Sequence, residues 1–185
     1  KNNINVVMIE PQPECLEELR KLYSDNPSVT IVPMGLGKSK QKLEMSINSK
    51  MPVISTFAKH WKTGRFSDST WDQKIIVDIT TLDDLIKKYG DPKFIKIDVE
   101  GFEHEVLLGL TKKSGIISFE FASEFIEDAF KSIDYLVSLG YSDFNYSLGE
   151  RRKFFTTWSN ANTIKDYIRE NIKNDNLLWG DFYCK

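Results

Sequence analysis

Two histidines and two cysteines among 185 residues are too few for most zinc-ligand sets, and Cys15 and Cys184 stand near opposite ends without spaced partners. That excludes a zinc knuckle and a multi-bridge disulfide scaffold, leaving two free thiols as the default reading. Long hydrophobic runs are lacking as well: no apolar stretch approaches the roughly 20 residues needed to span a bilayer. The opening Lys1-Asn2-Asn3 has none of the hydrophobic core of a signal peptide. A cytoplasmic protein with no membrane partner is expected. Nor is there a surplus of either charge. With 25 basic against 27 acidic residues, nothing announces a nucleic-acid or anionic-membrane partner.

What is present is apolar and aromatic material, 41% and 12% of the chain, enough for one well-filled core. A single domain over residues 1–185 is the expectation. Ile4 to Ile9 is a β-branched apolar run without alternation, as in a strand covered on both faces of a parallel sheet. It stops at Glu10, and Pro11 and Pro13 lead into Leu16, Leu19, Leu22 and Tyr23 at helical spacing, closed by Asn26-Pro27. Further strand-like runs follow at 29–34, 42–47, 75–79, 94–99, 116–121, 141–146 and 178–184. Helical patterns over 81–89, 101–110, 125–137 and 163–172 separate the later ones. Strands alternating with helices at this spacing predict an α/β sheet covered by helices on both faces. The stretch 48–72 keeps no period, and loops of that length tend to be functional.

In open α/β sheets ligands bind beyond the carboxyl ends of the strands, which singles out Glu10, Asp98 and Glu120. Glu10 ends an early strand, where a carboxylate accepts both hydroxyls of a ribose; a solvated acid at a helix N-terminus is the bland alternative. The densest signal is Phe94-Ile-Lys-Ile-Asp-Val-Glu-Gly-Phe-Glu103. Lys96 and Asp98 interrupt an apolar strand on one side of its pleat, and burying charge is costly unless the charges pair or face a cleft. Gly101 permits a tight turn, and Glu100 and Glu103 bracket the start of the next helix.

Lys96-Ile-Asp-Val-Glu-Gly-Phe-Glu103 followed by Val106-Leu-Leu-Gly-Leu110 resembles the hallmark segment of FkbM-type methyltransferases. Thr80-Thr81-Leu82-Asp83 and Ile9-Glu10-Pro11-Gln12-Pro13 resemble the family's other recurring stretches, in the same order. The resemblance covers residues 4–121 well and the remainder weakly. It implies a Rossmann-like class I methyltransferase fold, a mostly parallel sheet with an antiparallel C-terminal hairpin. It also implies methyl transfer from S-adenosylmethionine (SAM), usually to a hydroxyl of a small molecule or carbohydrate. By the same resemblance Glu10 and Pro11 would bind the cofactor ribose, Met34 and Gly35 would lie near the adenine, and Asp98 would face the methionine end. The family opens with a strand and a glycine-rich turn that holds the cofactor close. Neither is seen ahead of Lys1, so the first strand and helix are expected to be missing from the fold. Two neighbouring strands would then lack a partner, and a dimer or strand exchange is expected.

For the chemistry, in-line methyl transfer needs positioning and, for a hydroxyl acceptor, a base. Asp98, Glu100 and Glu120 are the candidate catalytic groups; Glu103, His104 and Trp61 are candidate substrate contacts. His104, one residue into the helix, reads first as a surface histidine, and His60 as structural or substrate-contacting. The segment 55–71, with Phe57, His60, Trp61, Arg65, Phe66 and Trp71, reads either as a substrate lid or as a packed loop. Glu150-Arg-Arg-Lys153 before Phe154 is one short basic cluster, which reads as a solvated turn. Asp98, Glu100 and Glu120 could offer carboxylates to a cation, but no His/Cys spacing supports a metal and none is expected. Two rivals stand beside the methyltransferase reading. A non-catalytic relative serving in binding or assembly is one; a nicotinamide dehydrogenase shares Glu10 but leaves the 98–103 segment unexplained.

Overall fold

The computed structural model describes residues 4–63, 66–151 and 153–185. Strand β1 (Val6–Ile9) runs parallel to β2 (Val29–Val32), with Val6 opposite Val29 and helix α1 (Pro13–Tyr23) between them in sequence. Proline sits at the start of α1, where its missing N–H costs nothing. A second sheet has β5 (Gln73–Thr80) in the centre, parallel to the short β3 (Gly35–Leu36) and antiparallel to β4 (Gln41–Ile47). Thr81 then caps α2 (Leu82–Tyr89), its hydroxyl accepting from Asp84 N at 3.1 Å, and Gly90 ends it at φ 92°.

The third sheet carries the core. It comprises β6 (Phe94–Ile97), β7 (Ile116–Ala122), β8 (Phe144–Leu148) and β9 (Trp179–Cys184), in the order β6-β7-β9-β8. β6 and β7 are parallel, and the last two strands pair antiparallel, as the resemblance implies. Ile117, Phe119, Phe121, Phe144, Tyr146 and Phe182 are buried in one cluster with Val106 and Leu107 of α3 (Glu103–Leu107), Ile133 and Leu136 of α4 (Ile126–Ser138), and Ile164 and Ile168 of α5 (Ala161–Asn174). The helices therefore cover the face of β7 that carries its odd-numbered residues. Because side chains alternate across a strand, Ser118 and Glu120 are turned to the other face, beside their cross-strand neighbours Tyr183 and Asp181.

The fold is α/β as expected, and its sheets are mixed. Among the described residues the strands divide into three sheets, and three of the six strand pairings are antiparallel. β1 pairs only with β2, and β6 only with β7, among those residues. The aperiodic stretch before β5 holds two single-turn 3-10 helices, Pro52–Ile54 and His60–Lys62, and a bridge between Ser46 and Thr56. Among the described residues no helix is long and apolar enough to cross a membrane.

Candidate active site

The side chains with chemistry collect at the carboxyl ends of β6 and β7. Lys96, in the middle of β6, lies 3.3 Å from Asp98 Oδ2 and also pairs with Asp181 of β9. Burial alone would favour its neutral amine, but hydrogen bonds and charge from Asp181 and Asp98 prevail and hold the ammonium's pKa above its usual value. The lysine that interrupts an apolar strand is thus paired. Asp181, its second partner, escapes a reading of the sequence, because only the β7–β9 register brings residues 85 apart together.

After Asp98 the backbone turns sharply. Glu100 adopts φ 55° and Gly101 φ 87°, successive left-handed residues, of which only the glycine is free of side-chain strain. Three contacts hold the turn. The Glu103 carboxylate accepts from Val99 N at 3.1 Å and Gly101 N at 3.2 Å, and Thr56 donates its hydroxyl to Glu100 O at 2.6 Å. Strain kept in place by its surroundings is characteristic of functional turns. It leaves Asp98, Glu100 and Glu120 each with a carboxylate oxygen within 4.8 Å of the others.

Glu120 is the most perturbed of these groups. Burial, then repulsion from Asp98, Glu100 and Glu103, raises its pKa to about 9 against only partial relief from Lys96. Its Oε2 is buried and has no hydrogen-bond partner. Beside it opens a cavity of about 450 Å3, lined by residues that include Trp61, Glu103, His104, Glu120, Phe125 and Asp128. Four elements build its walls: the strap 57–61, the start of α3, the end of β7, and α4. Trp61 is only 5% exposed, packing with Phe66 and Phe125 at ring separations of 5.4 Å and lying against Gly101. The aromatic loop is therefore a satellite core that also walls the cavity, of the two forms weighed for it. Arg65, grouped with this loop, and Arg152 of the basic cluster lie outside the described residues.

His104 lines the same cavity, its Nδ1 3.1 Å from Ser132 Oγ. Because Ser132 donates its one proton to Asp128 O at 2.9 Å, the imidazole Nδ1–H is the donor in that contact. Burial lowers the pKa of His104, so the ring is neutral and its Nε2 an acceptor at neutral pH. Ser132, Asp128 and Lys131 of α4 were not singled out in the sequence, since on an amphipathic helix they read as ordinary polar positions.

None of the residues that the resemblance assigns to the cofactor lines this cavity, though Asp98 stands within 4.8 Å of Glu120, which does. Glu10 ends β1 with its Oε1 accepting from Gln12 N at 2.7 Å, and burial raises its pKa. Pro11 follows it, partly buried, and the backbone N–H of Met34 donates to Val32 O. Gly35 has no room for a side chain, because a Cβ would stand 2.6 Å from Ile79 Cδ1. Glu10 and Asp98 each follow the carboxyl end of a parallel strand, where such a sheet receives a nucleotide-like ligand.

The model of the FkbM methyltransferase domain matches residues 1–148. The chain belongs to that family. The fold agrees: the crystal structure of methyltransferase FkbM from Methylobacillus flagellatus KT superposes with a TM-score of 0.51 at 18% identity, over 98% of this chain and 36% of that one. This FkbM-family chain thus spans about a third of the length of that solved relative. No curated protein sequence matches it.

In this FkbM domain Glu103 makes stability depend on pH. Burial raises its folded pKa from 4.5 to about 7, partly offset by the backbone N–H groups it accepts from. The folded state therefore holds this proton more tightly than the unfolded state, and the associated stability, full below about 4.5, is lost as pH rises through about 7. Glu103→Gln keeps an oxygen for the two N–H donors and removes the charge. It is expected to abolish about 3 kcal/mol of the stability loss between acidic and mildly alkaline pH, read from urea midpoints across that range. An unchanged pH profile would show that Glu103 is not held protonated.

Proposed function

We propose that this chain is part of a SAM-dependent O-methyltransferase acting on a hydroxyl of a small molecule or carbohydrate, on a Rossmann-like class I fold. The observation that carries the reading is the meeting of three carboxylates with one aromatic-walled cavity at the carboxyl ends of β6 and β7. The family implies a methyl donor, and the parallel pairs β1–β2 and β6–β7 end in acids suited to SAM, Glu10 for the ribose hydroxyls and Asp98 for the ammonium group. SAM supplies an electrophilic methyl group on a sulfonium. Pro11, Met34 and Gly35 would border the nucleoside. Glu120 would take the proton of an acceptor hydroxyl as that oxygen displaces the donor's sulfur from the methyl carbon, and Glu100, held in its strained turn by Thr56, would keep the local field negative where the positive charge of the donor is to lie. Glu103 fixes that turn, and Trp61 and His104 contact the acceptor from the cavity wall.

Calorimetric titration of SAM and of its demethylated product tests this directly. Saturable binding, weakened about tenfold or more in Glu10→Gln and in Asp98→Asn, is the expected result. Absence of binding both here and in a form carrying upstream residues would remove the methyltransferase reading and leave that of a non-catalytic binding or assembly module.

A further inference from the structure

Lys96 has an open way to water and does not take it. Its strand β6 pairs only with β7 among the described residues, so a long side chain there can extend past the free edge and leave its ammonium solvated. It turns inward instead, across β7, to Asp181 on the strand beyond, while staying 3.3 Å from Asp98 Oδ2. An ammonium shared between two acids is held from both sides. The strand it crosses carries Glu120, and Asp181 is the cross-strand partner of Glu120 itself. Ser118, the register partner of Lys96 on β7, is 1% exposed under that crossing.

The surroundings of Glu120 are otherwise mostly acidic. Asp98 and Glu100 face it from the turn after β6, Glu103 from α3 and Asp181 from β9. Across the cavity stand His104 and Glu105 of α3, Asp128 and Lys131 of α4, and Lys59 and His60 of the strap. Lys131 is taken by Asp128 at 2.7 Å. Lys96 is the cation whose charge relieves Glu120, and its own two partners keep it charged. Because that ammonium is tied down rather than free in water, its attraction falls steadily on the neighbouring carboxylate.

We infer that Lys96, anchored by Asp181, is a positioning residue that acts through Glu120, holding a positive charge where Glu120 must ionise; this rests on reading Glu120 as the base of methyl transfer. The test follows the Glu120 carboxyl by NMR across a pH series, on protein isotopically labelled at the glutamate side-chain carboxyl, with its signal identified by its absence in Glu120→Gln. Lys96→Met, which keeps the length of the chain and loses the charge, is expected to move the titration midpoint up by about 1 pH unit or more. Asp181→Asn removes an acid opposite Glu120 and leaves the ammonium, so the midpoint is expected to move down. Lys96→Arg should return most of the shift. Lys42→Met, which breaks a cross-strand pair with Asp78 at 2.9 Å in another sheet, is expected to leave the midpoint unchanged.

A pair that only braces the sheet predicts that Lys96→Met and Asp181→Asn shift the midpoint in the same direction or not at all, and either result would overturn the inference. Should Lys96→Met fail to fold, the direction of the shift in Asp181→Asn decides alone. The pH at which methyl transfer reaches half its plateau should follow the NMR midpoint in each variant. SAM titrated in parallel keeps the two readings apart. Opposite shifts without SAM binding would remove only the methyl-transfer reading, and SAM binding with unmoved midpoints only the role of Lys96.

Discussion

Glu120→Gln is expected to lower the rate of methyl transfer by roughly a hundredfold to ten-thousandfold, the range a positioned base contributes. The residue sits on the polar face of β7, opposite Asp181 and at the edge of the cavity, with one carboxylate oxygen buried and unpaired. Because burial and three neighbouring acids raise its pKa to about 9, only a small fraction is ionised at neutral pH, and the rate of the unaltered protein should climb about tenfold per pH unit toward that value. The glutamine variant should show a low rate with no such climb. Its stability should move the opposite way: at pH 8 the variant no longer carries a buried, crowded acid, and a gain of about 1–2 kcal/mol is expected after allowing for solvent screening. A loss of activity accompanied by a gain of stability separates a functional group from a structural one. A variant as active as the parent, with the same pH profile, would take the base away from Glu120.

The local elements were legible because local chemistry decides them. Thr81 before Leu82, Pro13 opening α1 and Gly90 closing α2 act within one or two turns of chain, and each stands where its type predicts. The family followed from the segment Lys96 to Leu110, and the antiparallel pairing of β8 and β9 from what that resemblance implies. What the sequence did not reveal depends on register and on long-range packing. Asp181 reads as an acid in a short terminal strand, and becomes the partner of Lys96 only through the antiparallel pairing that sets Asp181 opposite Glu120. Glu103 shows the same limit. At the N-terminus of a helix it reads as a dipole-complementing acid or a substrate contact, but its carboxylate turns back onto Val99 and Gly101. The division into three sheets was hidden for the same reason, since an apolar run specifies a covered strand without naming its neighbour.

Gly101→Ala should be the most disruptive single methyl group in the site. A side chain at φ 87° already costs about 1–2 kcal/mol, and the added Cβ would lie 2.6 Å from Trp61 Cε3 and 3.2 Å from Cδ2. An indole packed against Phe66 and Phe125 cannot yield as a flexible chain end would, so the turn or the strap must move. The expected total is about 2–4 kcal/mol, or roughly 5–15 °C in the melting temperature of a domain this size. The larger consequence concerns geometry. The Gly101 N–H is one of the two donors to Glu103, and Glu100 O receives the Thr56 hydroxyl, so displacing residue 101 loosens both ties that hold Glu100 and Asp98 against Glu120. Activity should therefore fall further than stability alone explains, even at temperatures where the variant is fully folded. Gly140→Ala provides the comparison, because at φ 95° it carries similar backbone strain with no atom within 4 Å of the new Cβ. It is expected to cost about 1–2 kcal/mol and leave activity intact. If the two alanine variants proved alike in both stability and activity, contact between Gly101 and Trp61 would not be what shapes the site.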